Sequence, residues 1–183
     1  LENTLTHCGI SGPVVFEFIT GTYASLNITS IPGSSIINTV TFTSATGDST
    51  DVVFNSSDAA LTLQNASHLI FNKLSFTGTI GIQFTNCIQN IEISHCDIRI
   101  PYVSNSSNRG ISVENSNTLA NLRILNNRID GGYYGIYIYG SSYSTRNTDI
   151  VINNNNIING WTYGIYTNYT NLSTNYTNYT NWC

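Results

Sequence analysis

Apolar and polar residues alternate along this chain in short bursts, and the bursts recur. Gly81-Ile82, Gly110-Ile111, Gly135-Ile136 and Gly164-Ile165 each open such a burst, with Ala60-Leu61-Thr62-Leu63 as a degenerate earlier copy. Aligning the copies puts Leu61, Ile82, Ile111, Ile136 and Ile165 in one column. Leu63, Phe84, Val113, Ile138 and Thr167 fall two residues on. The period-two alternation of a strand turns both columns inward and sends Thr62, Gln83, Ser112, Tyr137 and Tyr166 outward. A second strand repeats the logic: Leu69, Ile91, Leu122 and Ile150 align, then Phe71, Ile93, Ile124 and Ile152. After a corner come Phe76, Ile98, Ile129 and Ile157.

Helical stripes are absent and β-branched and aromatic residues fill the columns, which favours strands. Units recurring every 20 to 30 residues or so bury their apolar faces only against their neighbours. The pattern therefore predicts an all-β fold, a right-handed parallel β-helix (solenoid) with an N-terminal cap region. Residues 1–58 are expected to form the cap and first rung, 59–166 the rungs, and 167–183 an Asn/Tyr/Thr-rich tail or terminal strand.

The corners carry a second signal. Asn65, Asn86 and Asn115 share a column after the first strand, and Asn127 and Asn155 share one after the second. Stacked Asn amides are expected to bond to one another and to backbone that has left the ladder. Beside the first column Ala66, Cys87, Ser116, Ser141 and Thr170 are small, as an inward-turning corner requires. By this register Asn65 belongs to the ladder.

Charge narrows the function. Charged residues are 9% of the chain and the net charge is -4, so attraction to nucleic acid or anionic lipid is not expected. No apolar run reaches the length of a membrane span. The chain opens at Leu1 without a signal-peptide pattern, as if trimmed from a longer precursor. In the predicted register Glu92 meets Arg123, Asp97 meets Arg128 and Arg99 meets Asp130, three cross-strand neutralisations. Few carboxylates are left: Asp48, Asp51 and Asp58 fall in turns, Asp149 precedes a strand, and Glu114 stands alone. His7, His68 and His95 share no position, so neither a triad nor a zinc site is expected. No cofactor and no enzymatic activity are expected.

Four cysteines show no metal-ligand spacing. Cys87 and Cys96 fall in corner columns and read as buried small side chains. A Cys87–Cys96 bridge across one rung stays open in an oxidising compartment. Cys8 and Cys183 lie at opposite ends of the solenoid, where a bridge between subunits stacked end to end is the other pairing.

Ten of the twelve Tyr follow residue 132, where earlier rungs show Gln, Ser and Thr at the same outward positions. Tyr137 and Tyr166 should stack on adjacent rungs with Tyr139 beside them. Tyr133, Tyr134 and Tyr163 are placed in flanking loops, and Trp161 joins the group. Such rows suit a sugar face or a protein partner, or else pack locally beneath the tail.

The N-terminal stretch Cys8-Gly9-Ile10-Ser11-Gly12-Pro13-Val14-Val15-Phe16, with Gly21-Thr22-Tyr23, Ile31-Pro32-Gly33, Thr41-Phe42-Thr43-Ser44 and Gly47-Asp48-Ser49-Thr50, resembles the cap and first rung of secreted right-handed parallel β-helix repeat proteins of Bacteroidota. The resemblance is close over residues 8 to 76. It implies a modular surface protein, often exported by the type IX pathway, and makes residues 1 to 7 the tail of a capping helix. No sorting domain follows. The resemblance also implies an O-glycan system acting at Asp-Ser/Thr, for which Asp48-Ser49-Thr50 is a candidate.

Asn-X-Ser/Thr acceptor patterns stand at Asn27, Asn55, Asn65, Asn105, Asn168, Asn171, Asn175 and Asn178. All except the ladder residue Asn65 are candidates for glycosylation. The expected function is an extracellular, cell-surface structural or adhesive module carrying covalent glycans, with a head-to-tail homopolymer among its assemblies. The alternative is a module that binds carbohydrate surfaces or cleaves polysaccharide, as a lyase or glycoside hydrolase would.

Overall fold

The computed structural model describes residues 2–180 except Cys87, Asn117, Thr118, Ser141, Tyr143, Ser144, Thr145 and Tyr176. A short helix, α1 (Glu2–Cys8), sends Leu5 into the apolar core. The chain then winds in rungs of up to three strands. The first rung is β1 (Val14–Phe18), β2 (Gly21–Tyr23) and β3 (Leu26–Ile28). The second is β4 (Val40–Ser44), β5 (Val52–Asn55) and β6 (Ala59–Gln64), and the third β7 (Ser67–Asn72), β8 (Ser75–Thr77) and β9 (Ile80–Thr85). The fourth is β10 (Ile88–Ser94), β11 (Asp97–Arg99) and β12 (Arg109–Ser116), and the fifth β13 (Leu119–Leu125), β14 (Arg128–Asp130) and β15 (Tyr134–Gly140). The sixth is β16 (Asn147–Asn153), β17 (Asn156–Ile158) and β18 (Tyr163–Asn168), followed by β19 (Thr170–Asn175) and β20 (Asn178–Thr180).

Each strand pairs only with its counterparts one rung away, always in parallel, so three sheets stack along one axis. Two have seven strands, β1 to β19 and β2 to β20, and the third runs from β3 to β18 with six. This is a parallel β-helix. Rungs begin at Val14, so residues 1–58 hold α1, the first rung and the first two strands of the second, and β19 and β20 carry residues of the 167–183 segment into two of the sheets.

The registers match the expected columns. Ile82 pairs with Ile111, Ile111 with Ile136, and Ile136 with Ile165. Ile82, Ile111 and Ile136 are completely buried. In the seven-stranded sheet an inner file begins aromatic and ends aliphatic. Phe16, Phe42 and Phe71 stack at 5.4 and 4.9 Å, and Ile93, Ile124 and Ile152 continue the file. Aromatic mass is therefore inside at the N-terminal end and, as the tyrosines show below, outside at the other.

Gly81, Gly110 and Gly135 of the Gly-Ile pairs are close-approach positions between two sheets. A Cβ built on Gly135 would lie 2.5 Å from Ile157 Cγ2 and 2.6 Å from Gly164 O, and one on Gly110 would meet Ile129 and Gly135. The earlier rung has Ala60 at the equivalent position, completely buried.

Asparagine does two different jobs at the corners. Asn127 and Asn155 form the expected buried ladder. Asn127 Nδ2 donates to Asn155 Oδ1 at 3.0 Å and to Ile93 O at 2.9 Å, while Asn127 Oδ1 accepts from Cys96 N at 2.9 Å. Asn155 Oδ1 also accepts from Asn127 N, and Asn155 Nδ2 donates to Ile124 O. The first corner behaves otherwise. Asn65 and Asn86 are exposed and left-handed, with φ of 51° and 65°, so this pair is not a buried ladder. Asn is chosen there because its short side chain tolerates the left-handed region. The side chain of Asn115 is outside the described residues.

Candidate functional site

The outer face of the six-stranded sheet changes character along the axis. One outward column reads Asn27, Thr62, Gln83, Ser112, Tyr137, Tyr166, and a second reads Ile80, Arg109, Tyr134, Tyr163. On β15 and β18 the two columns make a two-by-two grid of rings. Tyr137 stacks on Tyr166 with centroids 5.2 Å apart and planes 8° from parallel, and Tyr134 stacks on Tyr163 at 5.8 Å and 6°. Tilted contacts close the grid sideways, Tyr134 to Tyr137 at 4.9 Å and Tyr163 to Tyr166 at 5.8 Å. Tyr139 extends it from Tyr137, Tyr133 meets Tyr134 edge-on, and Tyr169 meets Tyr139.

Tyr134 and Tyr163 are thus the first residues of strands and not loop residues as the spacing suggested. Trp161 does not join the grid; its ring lies 5.0 Å from that of Tyr102.

Arg109 ends the grid on its N-terminal side. Its guanidinium sits 3.9 Å from the centroid of Tyr137 and 5.6 Å from that of Tyr134, a cation–π arrangement. Arg109 also donates from Nε to Ser106 O at 2.9 Å and from Nη1 to Ser112 Oγ at 3.2 Å, and it forms an ion pair with Glu114. Ser112 points outward yet is completely buried, because Arg109 lies over it. Glu114 therefore does not stand alone.

Desolvation lowers the guanidinium of Arg109 from its usual value, partly opposed by the two phenols. Desolvation likewise raises the Tyr134 and Tyr137 phenols, with neighbouring tyrosines adding to the rise and Arg109 opposing it. The phenols stay protonated at neutral pH and keep their donors. Within each stack the ring faces are occupied by one another. The grid thus offers hydroxyl-bearing edges, and Tyr163, on the outermost strand of its sheet, is its most open ring at 49% exposure.

Further ion pairs lie on the neighbouring sheets. Glu92 meets Arg123 at 3.7 Å and Asp97 meets Arg128 at 3.1 Å, as the register implied. Arg99 and Asp130 are Cα partners, but their side chains turn along their own strands. Arg99 bonds Asp97 at 2.5 Å and Arg128 bonds Asp130 at 2.6 Å. Among the described residues no group of three or more His, Cys, Asp and Glu is placed to hold a metal ion. Among the described residues no helix is long and apolar enough to cross a membrane.

His68 is one of a file of left-handed residues with Asn90, Asn121 and Asp149, all at φ of 54° to 60°. Asn121 Nδ2 donates to Asn90 Oδ1 at 2.6 Å, and Asn90 Nδ2 donates to His68 Nε2 at 3.0 Å. His68 Nδ1 is buried without a partner, so this ring is only half satisfied. A parallel file of Lys73, His95, Asn126 and Asn154 marks the next corner, and Asn72 bonds His95 there.

Cys96 is a free, buried thiol whose Sγ faces the carbonyl oxygens of Ser94 and Phe71 at 3.3 and 3.6 Å. The Cys87–Cys96 bridge is therefore not formed; Cys87 itself lies outside the described residues. Burial pushes the Cys96 thiol up to about 12. Iodoacetamide at about pH 8 should label exposed Cys8 while sparing Cys96 until denaturant is added. Peptide mass mapping checks this, and equal labelling of Cys96 in the folded protein would contradict its burial. The bridge between stacked subunits involves Cys183, which lies outside the described residues.

Among the glycan acceptor candidates Asn27, Asn55, Asn105, Asn171 and Asn178 are exposed and Asn168 is half-buried. The side chain of Asn175 is not described. Asn65, expected to be shielded within a ladder, is exposed as well, so nothing in the fold protects it. Comparison of this chain with protein-family models, with curated proteins and with solved structures returned no match.

Proposed function

We propose that this chain is an adhesive β-helix module of the extracellular surface, a stiff rod whose contact face is the tyrosine grid. The single observation that carries the reading is the grid itself. Four stacked rings, held from one side by Arg109, form an ordered amphipathic surface on strands. Rings fixed by their neighbours lose little side-chain entropy on contact, which makes Tyr and Arg effective interface anchors. Exposed acceptor sequences at Asn27, Asn55 and Asn105 support a glycosylated, secreted setting. Ion pairing of Asp97, Asp130, Glu92 and Glu114 with arginines supports a binding role over a hydrolytic one, because paired carboxylates are held ionised by their partners.

The test exploits the earlier rungs, where the same outward column carries Thr62 and Gln83 in an intact sheet. Beads coated with the wild-type chain, or with a Tyr137→Gln/Tyr166→Thr double variant, are passed under flow over surfaces coated with protein or with polysaccharide. Losing two anchor rings should cut retention about tenfold or more on the surface that the wild type holds. Equal retention of both on every surface would remove the grid as the contact face.

A further inference from the structure

We infer that the cleft between the 101–108 loop and the 159–162 turn is a binding site for a neutral saccharide, separate from the tyrosine grid. The cleft encloses about 390 Å³ and is lined by Arg99, Ile100, Tyr102, Asp130, Gly131 and Asn159. That volume falls in the range of roughly 300–1,000 Å³ typical of small-ligand sites.

Tyr102 lines the cleft, and the ring of Trp161 stands against it. Tyr102 is 50% exposed and Trp161 is 41% exposed, their centroids 5.0 Å apart and their planes 50° from parallel. Unlike the grid rings, these two do not cover each other's faces, so apolar ring area remains open to solvent. An exposed Trp face is expensive to leave wet and suits the apolar C–H face of a pyranose. Trp161 is held in place from its backbone, where its N–H donates to Gly132 O at 2.8 Å.

The polar groups beside the rings are arranged and neutral in sum. Asp130 Oδ2 is taken by Arg128, and Asp130 Oδ1 accepts from Asn159 Nδ2 at 2.8 Å, which leaves the Asn159 carbonyl oxygen facing no partner among the described residues. Arg99 bonds Asp97 through Nε and Nη2, leaving Nη1 unengaged at a side chain that is 56% exposed. Two arginines and two aspartates cancel, so no net charge attracts or repels a ligand. One fixed amide oxygen and one fixed guanidinium N–H provide an acceptor and a donor for adjacent sugar hydroxyls.

Two glycines make the bend beside the cleft, and Gly131 lines it. Gly131 and Gly132 have φ of 88° and 80°, and a Cβ at Gly131 would run into Ile100 O. Bare backbone at this bend lets Ile100 O approach Gly131 closely while Gly131 N donates to Ile158 O at 3.0 Å, so the floor of the cleft stays free of side chain. The site rests on none of the grid residues.

The test uses the full chain with Trp182→Phe, so that Trp161 is the sole indole. Cellotetraose, maltotetraose, mannotetraose and chitotetraose are titrated against its fluorescence, with tetragalacturonate as the acidic comparison. At least one neutral tetrasaccharide should give a saturable spectral change with Kd at or below about 1 mM. In that background Tyr102→Ala and Asn159→Gly should each weaken binding about tenfold, the glycine retaining the left-handed backbone of Asn159. Tyr137→Gln/Tyr166→Thr should leave the Kd unchanged, and circular dichroism confirms that each variant is folded.

No saturable change with any neutral tetrasaccharide up to about 10 mM, by fluorescence and by saturation-transfer NMR, would overturn the proposal. So would preference for tetragalacturonate, or binding that Tyr102→Ala leaves intact. Binding abolished only by the grid variant would move the sugar to the grid, and loss of bead retention without any effect here would leave the adhesive reading standing alone.

Discussion

Asn127→Ala is expected to lower the stability of the β-helix by about 2–6 kcal/mol, while Asn126→Gly, one residue earlier, stays within about 0.5 kcal/mol of the wild type. The two asparagines are neighbours in sequence and opposites in environment. Asn127 is buried, and its amide accepts from Cys96 N–H, a backbone group at the corner between two strands, while donating to Ile93 C=O and to Asn155. Alanine leaves the Cys96 N–H unpaired and dry, at about 1–3 kcal/mol, and removes the bonds to Ile93 C=O and Asn155, at about 0.5–1.5 kcal/mol each. Asn126 is exposed and left-handed at φ 56°, a conformation that glycine adopts freely. Urea unfolding followed by circular dichroism reads the difference as a shifted midpoint at unchanged slope. Equal midpoints for the two variants would mean that the ladder contributes nothing to stability.

The same pair shows which part of the fold a sequence makes legible. Period-two alternation specifies the register of every rung, because slipping one residue would turn Ile82, Ile111 and Ile136 out to solvent. Register in turn predicts Cα neighbours, which is why Glu92–Arg123 and Asp97–Arg128 could be read in advance. It does not predict which oxygen a guanidinium takes. A partner two residues along the strand competes with one a rung away, and Arg99 and Arg128 both take such same-strand partners.

The left-handed files were less visible. His68, Lys73, His95 and Asp149 share φ near 55° to 60° with the asparagines, yet none of them announces that conformation by type. What could have found them is position: His68, His95 and Asp149 share a register with Asn90, Asn126 and Asn121 on an adjacent rung, and Lys73 shares one with His95. Arg109 was missed for a related reason. It precedes Gly110, outside the alternating window, although its column leads directly to Tyr134 and Tyr163. Glu114 looked isolated because β12 and β15 shift register after Val113, which removes the cross-strand neighbour that pattern alone would assign. The cleft beside Tyr102 depends on the path of the 101–108 loop, and loops carry no periodic signal at all.

Gly135→Val should be the most disruptive single substitution on the tyrosine face, costing about 3 kcal/mol or more, whereas Gly12→Val should change stability by no more than about 0.5 kcal/mol. A Cβ at Gly12 meets nothing within 4 Å. At Gly135 the first added carbon already falls 2.5 Å from Ile157 Cγ2 and 2.6 Å from Gly164 O, so β15 must move away from β17 or β18 to admit it. Close-packed interiors absorb such an insertion by backbone shift and off-rotamer side chains, not by local compression. The shift has a functional reading because Gly135 lies between Tyr134 and Tyr137, whose stacks on Tyr163 and Tyr166 depend on the β15–β18 spacing. Gly135→Val should therefore weaken the near-ultraviolet circular dichroism of the ordered tyrosines and lower bead retention together, at a temperature where the far-ultraviolet spectrum is still that of folded sheet. Should the tyrosine signal and the retention survive while the midpoint falls, contact would not depend on the spacing of the stacked rings.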